Sequence, residues 1–179
     1  MTARGDDGGL DAELAAARAD DAVQQRRQLR DLTERMQQES TFVELLVGHA
    51  VAGGQITAEL RGGIRHRGTI VAVGADLIVL RTLAELLVLV PTTAIGSIRH
   101  HGPAGVDDAP DVGRDTTLHD VLDEWSAERR RVVISTTAGT VSGRLISIGT
   151  DVVTVVTDSV EPERVQVWLP SVTDVSAPS

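Results

Sequence analysis

The chain of 179 residues contains no cysteine, lysine, asparagine or tyrosine, and its Phe, Trp and Tyr content is one Phe and two Trp. Without cysteine it cannot form disulfides, use a thiolate nucleophile or bind zinc through sulfur. It also lacks both a run of roughly 18 uncharged apolar residues, as a membrane span needs, and the apolar segment of a secretory signal. These absences favour a cytoplasmic protein, and the loss of residue types with AT-rich codons indicates a high-GC genome.

The motifs of common enzyme classes are also missing. The sequence has no Gly-x-Ser-x-Gly, no Walker A loop, no dinucleotide-binding glycine pattern and no His-Glu-x-x-His. His100 and His101 are adjacent, and neighbouring residues on a strand point to opposite faces, so they do not make a metal site. His49 lies on the apolar face of a predicted helix, as a core residue does. We therefore predict no enzyme activity, no catalytic residue, no metal and no cofactor.

Among the residues that are present, Val and Ile are abundant, and β-branched side chains favour strands. Residues 1–9 are rich in Gly and Asp and are expected to form a disordered tail. Residues 10–40 contain neither Gly nor Pro and are rich in helix-forming residues, which predicts a long N-terminal helix.

The segment 41–101 has the pattern of one short helix followed by five short strands. Thr41 and Glu44 have the spacing of a capping box at a helix start, and Gly53-Gly54 ends the helix. The apolar periodicity then predicts five strands: Ile56 to Leu60, Ile64 to Val73, Asp76 to Arg81, Glu85 to Val90, and Ile95 to Arg99. Residues 102–115 have a Gly, Pro and Asp composition that is typical of a linker.

The same pattern returns in residues 116–176, which predicts an internal duplication followed by a short tail, 177–179. Gly143 and Gly149 match Gly68 and Gly74 at an offset of 75 residues (143 minus 68). After a four-residue insertion, Pro170 matches Pro91 at an offset of 79 (170 minus 91). These six positions are predicted to be structural: Gly68, Gly74, Gly143, Gly149, Pro91 and Pro170.

The first repeat, ITAELRGGIRHRGTIVAVGADLIVLRTLAELLVLVPTTAIGSI, resembles the Sm-like family, to which the Hfq-type RNA chaperones belong. The resemblance implies a mainly β fold of two tandem, five-stranded bent barrels, each preceded by a short helix. It also implies that Gly68 lies at the bend of a long strand, and that edge strands such as Glu85 to Val90 join neighbouring subunits. The whole chain also resembles duplicated proteins of high-GC Gram-positive bacteria, some of them labelled transcriptional regulators.

The nucleic-acid-binding residues of that family are not matched in this chain. The position of its base-contacting Asn falls on Ile78, and the basic step of its second signature falls on Pro91-Thr92-Thr93. Neither repeat has an aromatic residue at the positions where bases would stack, and stacking contributes about 1–3 kcal/mol per base. The resemblance therefore supports the fold more than it supports RNA recognition.

Charge separates the two functional hypotheses. The chain has a net charge of -9, which disfavours nucleic acid and anionic lipid. One basic cluster stands out in the first repeat: Arg61, Arg65, His66 and Arg67. We favour a non-catalytic protein-protein interaction or scaffold module, with an unknown protein partner or self-association through strand edges or the N-terminal helix. The alternative is a nucleic-acid-binding regulator that uses the basic cluster; a small-ligand sensor is left open.

Overall fold

The computed structural model describes residues 41–101, 113 and 115–178. The predicted tail 1–9, the predicted helix 10–40 and most of the predicted linker lie outside the described residues. Within the described part, the first repeat contains helix α1 (Phe42–Ala52) and strands β1 (Gln55–Leu60), β2 (Arg65–Val73), β3 (Leu77–Thr82), β4 (Leu86–Pro91) and β5 (Ile95–His100). The second contains α2 (Leu118–Ala127), β6 (Arg131–Thr136), β7 (Gly139–Ile148), β8 (Val152–Thr157), β9 (Arg164–Trp168) and β10 (Val172–Pro178).

The mainly β class is confirmed, and the five strands predicted for the first repeat lie within one residue of their observed ends. The apolar alternation is clear in β1, where Ile56, Ala58 and Leu60 are buried and the residues between them are partly exposed. In the second repeat, β10 continues through Pro178, into the segment that the sequence interpretation assigned to the C-terminal tail.

The two tandem, five-stranded bent barrels implied by the resemblance do not form as closed barrels. All ten strands form one antiparallel sheet in the order β5-β1-β2-β3-β4-β10-β6-β7-β8-β9. The cause is the ladder between β4 and β10, which joins the last strand of the chain to the first repeat. Because the edge of β4 pairs with β10, the five strands of the first repeat and the five strands of the second form one continuous sheet. The residues from Phe42 onward accordingly form one compact unit.

The strand registers are similar in the two halves of the chain, and they correct the alignment of the predicted repeats. Leu77 on β3 pairs with Pro91 on β4, and Val152 on β8 pairs with Trp168 on β9. The offset is therefore 75 at the first strand (152 minus 77) and 77 at the second (168 minus 91), so Trp168 rather than Pro170 corresponds to Pro91. A two-residue error leaves every side chain on the correct face of the strand, so apolar alternation could not detect it.

Two apolar cores lie under the sheet, one for each repeat. The core of the first repeat includes Leu46 and Ala50 of α1, and that of the second includes Leu122 and Trp125 of α2. Leu77 and Leu89 belong to the first repeat in sequence but pack in the core of the second. The two repeats therefore share buried surface as well as a strand ladder.

Glycine is required at the equivalent positions Gly68 and Gly143 because another strand passes too close for a side chain. A Cβ at Gly68 would overlap the backbone carbonyl of Arg81, and one at Gly143 would overlap the backbone carbonyl of Val156. Gly74 differs from its counterpart Gly149, since a Cβ at Gly74 would also overlap the backbone of Thr116. Neither α1 nor α2 is long and apolar enough to cross a membrane, and the same holds for all helical segments that the structure describes.

Candidate interaction site

The junction between the repeats is built first from the backbone ladder of β4 and β10. Leu89 pairs with Val175, Val88 with Ser176, Leu87 with Ala177, and Leu86 with Pro178. Val88, Leu89 and Val175 are almost fully buried, so this ladder is surrounded by apolar side chains. An unpaired strand edge presents backbone donors and acceptors to any suitable strand, and here the edge of β4 has been filled by the same chain.

The start of α2 forms a second contact between the repeats. The Asp76 carboxylate, in the turn before β3, accepts a hydrogen bond from the Leu118 backbone N–H at 2.7 Å. The Ala75 N–H donates to the Thr116 carbonyl at 2.8 Å. Asp76 therefore satisfies one of the free N–H groups at the helix N-terminus, which favours negative charge. Through these bonds, the second helix is attached to the first repeat.

Thr117 and Asp120 form a capping box at the same helix end. The Asp120 N–H donates to the Thr117 hydroxyl, and the Asp120 carboxylate accepts from the Thr117 N–H at 2.8 Å. The side-chain and backbone hydrogen bonds from Thr117 lower the pKa of Asp120. A helix start that is satisfied in this way has a fixed position against Asp76.

A third contact joins His66 of β2 to Asp174 of β10. His66 Nε2 lies 3.4 Å from the Asp174 carboxylate, which also accepts a hydrogen bond from the Ser135 hydroxyl at 3.2 Å. Asp174 is only 2% exposed. The His66 Nε2 atom is itself buried and has no hydrogen bond, so this polar contact lies inside the junction rather than at its rim.

The two ends of the sheet repeat the elements of the junction in an open form. Strand β5 corresponds to β10 and strand β9 corresponds to β4, and these two strands lie at the opposite edges of the sheet. The helix residue Phe42 corresponds to Leu118, but it is 43% exposed, whereas Leu118 is 5% exposed. Asp151 corresponds to Asp76, and its carboxylate has no hydrogen bond or ion pair among the described residues.

The structure places Arg65 and Arg67 of the predicted basic cluster on one face of β2 and His66 on the other. The Arg65 guanidinium binds the Glu59 carboxylate at 2.9 Å, and Arg67 donates to the Gln55 side chain at 3.2 Å. Arg61 donates to the Thr93 carbonyl, and His66 points to the opposite side of β2, toward Asp174. Alternation along β2 separates His66 from the two arginines. Because Arg65 already binds Glu59, a phosphate at Arg65 would compete with that carboxylate.

The bond with Arg65 and the charge of that guanidinium lower the pKa of Glu59, and Arg99 and Ser97 add to this effect. Glu59 is therefore the centre of a charged cluster on the outer face of the first repeat.

Three further histidines, His49, His100 and His101, lie near the end of β5. The rings of His49 and His100 stack with centroids 5.4 Å apart, and His101 Nε2 lies 2.8 Å from the Thr57 hydroxyl. Burial and the nearby His100 lower the pKa of His49. In the segments 41–101 and 115–178, no group of three or more His, Asp or Glu residues could hold a metal ion.

Searches of protein-family models and of curated proteins find no match to this chain. The candidate site therefore follows from the geometry alone. Sequence reasoning missed Asp76, Asp151, Asp174 and Trp168 because each gains its meaning from a residue distant in the chain. An Asp in a Gly-Ala-Asp or Gly-Thr-Asp turn is common, and only the repeat alignment relates the two turns.

Proposed function

We propose that this chain is a non-catalytic Sm-like interaction module that associates end to end with further copies of itself. The observation that carries the proposal is the β4–β10 ladder. Its two strands have counterparts, β9 and β5, which lie at the two edges of the sheet and pair with no further strand among the described residues. A duplicated unit that joins its own second copy through one pair of edges carries the complementary pair at its ends.

The pairs of the β4–β10 ladder predict the pairs between two chains. Each β10 residue is replaced by the β5 residue 77 positions earlier, and each β4 residue by the β9 residue 77 positions later. Val175 with Leu89 becomes Ile98 of one copy with Gln166 of the next, and Pro178 with Leu86 becomes His101 with Glu163. The contact is head to tail, with different surfaces on the two partners. It leaves one open edge at each end, so further copies can be added.

Charge favours this orientation. Residues 41–101 carry five Arg and four acidic residues, whereas residues 116–179 carry five Arg and nine acidic residues. The two halves therefore have net charges of +1 (5 minus 4) and -4 (5 minus 9). At the edges themselves, Arg99 and His101 would face the segment that contains Glu161 and Glu163. Opposite charges across an interface increase the association rate and select the head-to-tail arrangement over two like ends.

The helix contact supports the same arrangement. Within the chain, the Asp76 carboxylate accepts from the Leu118 N–H. In the head-to-tail contact, the Asp151 carboxylate of one copy would accept from the Phe42 N–H of the next, and the exposed Phe42 ring would become buried. Burial of a large apolar side chain contributes about 1.5–3 kcal/mol.

Cysteine cross-linking between two singly substituted chains tests the proposal, because the native chain has no cysteine. One chain carries His101→Cys and the other carries Glu163→Cys. Under mild oxidation, the mixture should form the mixed disulfide dimer in clear excess over either same-residue dimer. The matched control replaces Glu163→Cys with Thr140→Cys, at an exposed position on β7, away from both edges.

Equal yields in the test and control mixtures, together with a monomer in sedimentation velocity at about 100 µM, would refute self-association. If a different protein formed a stable complex through the same edges, the chain would still be an interaction module, but its partner would be that protein and not a second copy.

A further inference from the structure

A cleft of about 210 Å³ opens where the two repeats meet, and it includes Trp168 at the end of the edge strand β9. The first repeat contributes Arg61 and Thr93, and the second contributes Thr137, Trp168, Pro170 and Ser171. Pockets for drug-sized ligands have volumes of about 300–1,000 Å³. The cleft therefore has room for a single side chain or a small ring compound rather than for a large cofactor.

Trp168 is the most informative residue of this cleft. Its side chain is 61% exposed, whereas the other tryptophan, Trp125, is 6% exposed in the core. In the first repeat the equivalent position is Pro91, which is buried, so the repeat fold does not need an indole there. A large exposed aromatic ring that the fold does not require is typical of a contact surface.

Arg61 supplies positive charge to the same cleft. One nitrogen of its guanidinium donates to the Thr93 carbonyl, which holds the side chain beside the cleft and leaves other donors free. No acidic side chain is among the residues that line the cleft. A guanidinium without an acidic partner next to an exposed indole suits a ligand that has a carboxylate for the first and a flat ring for the second.

We infer that this cleft is a binding site for a small aromatic carboxylate, a class of ligand that the interaction proposal does not require. The Arg61 guanidinium would bind the carboxylate, and the Trp168 ring would pack against the ring of the ligand. Thr93, Thr137 and Ser171 also line the cleft, and the Ser171 hydroxyl donates to the Trp168 carbonyl at 2.6 Å. Because both repeats contribute, a bound ligand would connect the two halves of the chain.

Benzoate is the probe, and the two indole N–H signals of the ¹⁵N-labelled native chain are the readout. The variant Trp168→Phe assigns the signals. On titration, the Trp168 signal should shift saturably with a Kd on the order of millimolar, as expected for so small a ligand. The Trp125 signal, from the buried core, should move little and provides an internal control.

The variant Arg61→Gln should weaken benzoate binding at least about tenfold, since the charge-assisted bonds are lost. The matched control Arg67→Gln removes an arginine that does not line the cleft and should bind as the native chain does. Benzamide, which has the ring without the charge, and cyclohexanecarboxylate, which has the charge without the flat ring, should both bind more weakly.

A Trp168 signal that does not saturate, an unchanged affinity in Arg61→Gln, or equal affinity for benzamide would overturn the inference. A chain that binds benzoate but remains a monomer would keep this site and lose the proposed function, and the reverse result would do the opposite.

Discussion

The two repeats share their backbone plan and differ in their surface. On the outer face of the first repeat, Glu59 lies between Arg65 and Arg99 and binds both. The equivalent residues of the second repeat are Ser135, Thr140 and Ser176, as the strand registers show. Hydrogen bonds of the ladder depend only on the backbone, so they persist after duplication, whereas the side chains outside the core can diverge.

The junction between the repeats contains contacts that have counterparts at the ends of the sheet and one contact that has none. The β4–β10 ladder and the Asp76 contact have counterparts at the open ends, but the contact between His66 and Asp174 does not. The residues that correspond to His66 and Asp174 in the other repeat are Val141 and Ser97. The internal junction is therefore a specialised form of the edge contact that we propose between chains.

The largest effect is expected from Gly68→Val and Gly143→Val, which ask whether both repeats depend equally on the close approach of strands. Each added side chain would overlap a carbonyl of the neighbouring strand, so each variant should lose about 3 kcal/mol or more of unfolding free energy. Thermal or urea unfolding measures this loss. Gly48→Ala, in open space on α1, is the control and should be neutral or slightly stabilising. A native-like melt for either valine variant would contradict the strand geometry.

The next effect distinguishes the closed junction from the open end. Asp76→Ala leaves the Leu118 N–H without its partner and should lower the unfolding free energy by about 1–2 kcal/mol. Asp151→Ala, its counterpart, should leave unfolding nearly unchanged and weaken association between chains. Urea unfolding and sedimentation velocity measure the two quantities. Equal losses of unfolding free energy in the two variants would contradict the difference that we infer between the closed junction and the open end.

A nucleic-acid mobility shift tests whether the first repeat alone carries a binding surface. We expect no retention of RNA or DNA by the native chain near physiological salt, because Arg65 and Arg67 already bind side chains of their own repeat. Retention that is lost in the triple variant Arg61→Ala, Arg65→Ala, Arg67→Ala would favour the regulator hypothesis. The control of equal charge change is Arg129→Ala, Arg130→Ala, Arg131→Ala in the second repeat.

The smallest expected effect is a change in the pH dependence of stability. It concerns His49, whose equivalent position in the second helix is occupied by Trp125. The pKa of His49 is lowered from its ordinary value of 6.5, chiefly by burial and then by His100. The folded chain therefore binds fewer protons there than the unfolded chain does. Its contribution to stability is complete above pH 6.5 and is lost as the pH falls below that value toward the lowered pKa.

Replacing His49→Phe should remove that part of the pH dependence and leave stability at pH 8 similar. Urea unfolding at pH 5, 6, 7 and 8 compares the two chains. His101→Phe is the control, since His101 lies outside the helix and contacts Thr57. Parallel pH curves for the native chain and His49→Phe would show that the stacked pair with His100 does not influence folding.

Sequence reasoning predicted the strands well because each strand of a half-buried sheet alternates between apolar and polar residues. It also found Gly68 and Gly143, which lie at equivalent points of a repeated pattern. It wrongly matched Pro170 with Pro91, because a shift of two residues along a strand leaves the apolar alternation unchanged. The arginines were grouped because they are close in sequence, although alternation along β2 places His66 on the opposite side from Arg65 and Arg67.

The order of the elements, the repeated pattern and the importance of Gly68 and Gly143 could all be predicted from the sequence, because local periodicity and turn chemistry act over a few residues. The tertiary structure adds the pairing of β10 with β4, the contact of Asp76 with the start of α2, and the place of Arg61 and Trp168 in the lining of one cleft. Strand edges have no sequence signature of their own, since their partners are chosen by backbone hydrogen bonds. Which edges stay open is therefore decided only when the whole sheet has formed.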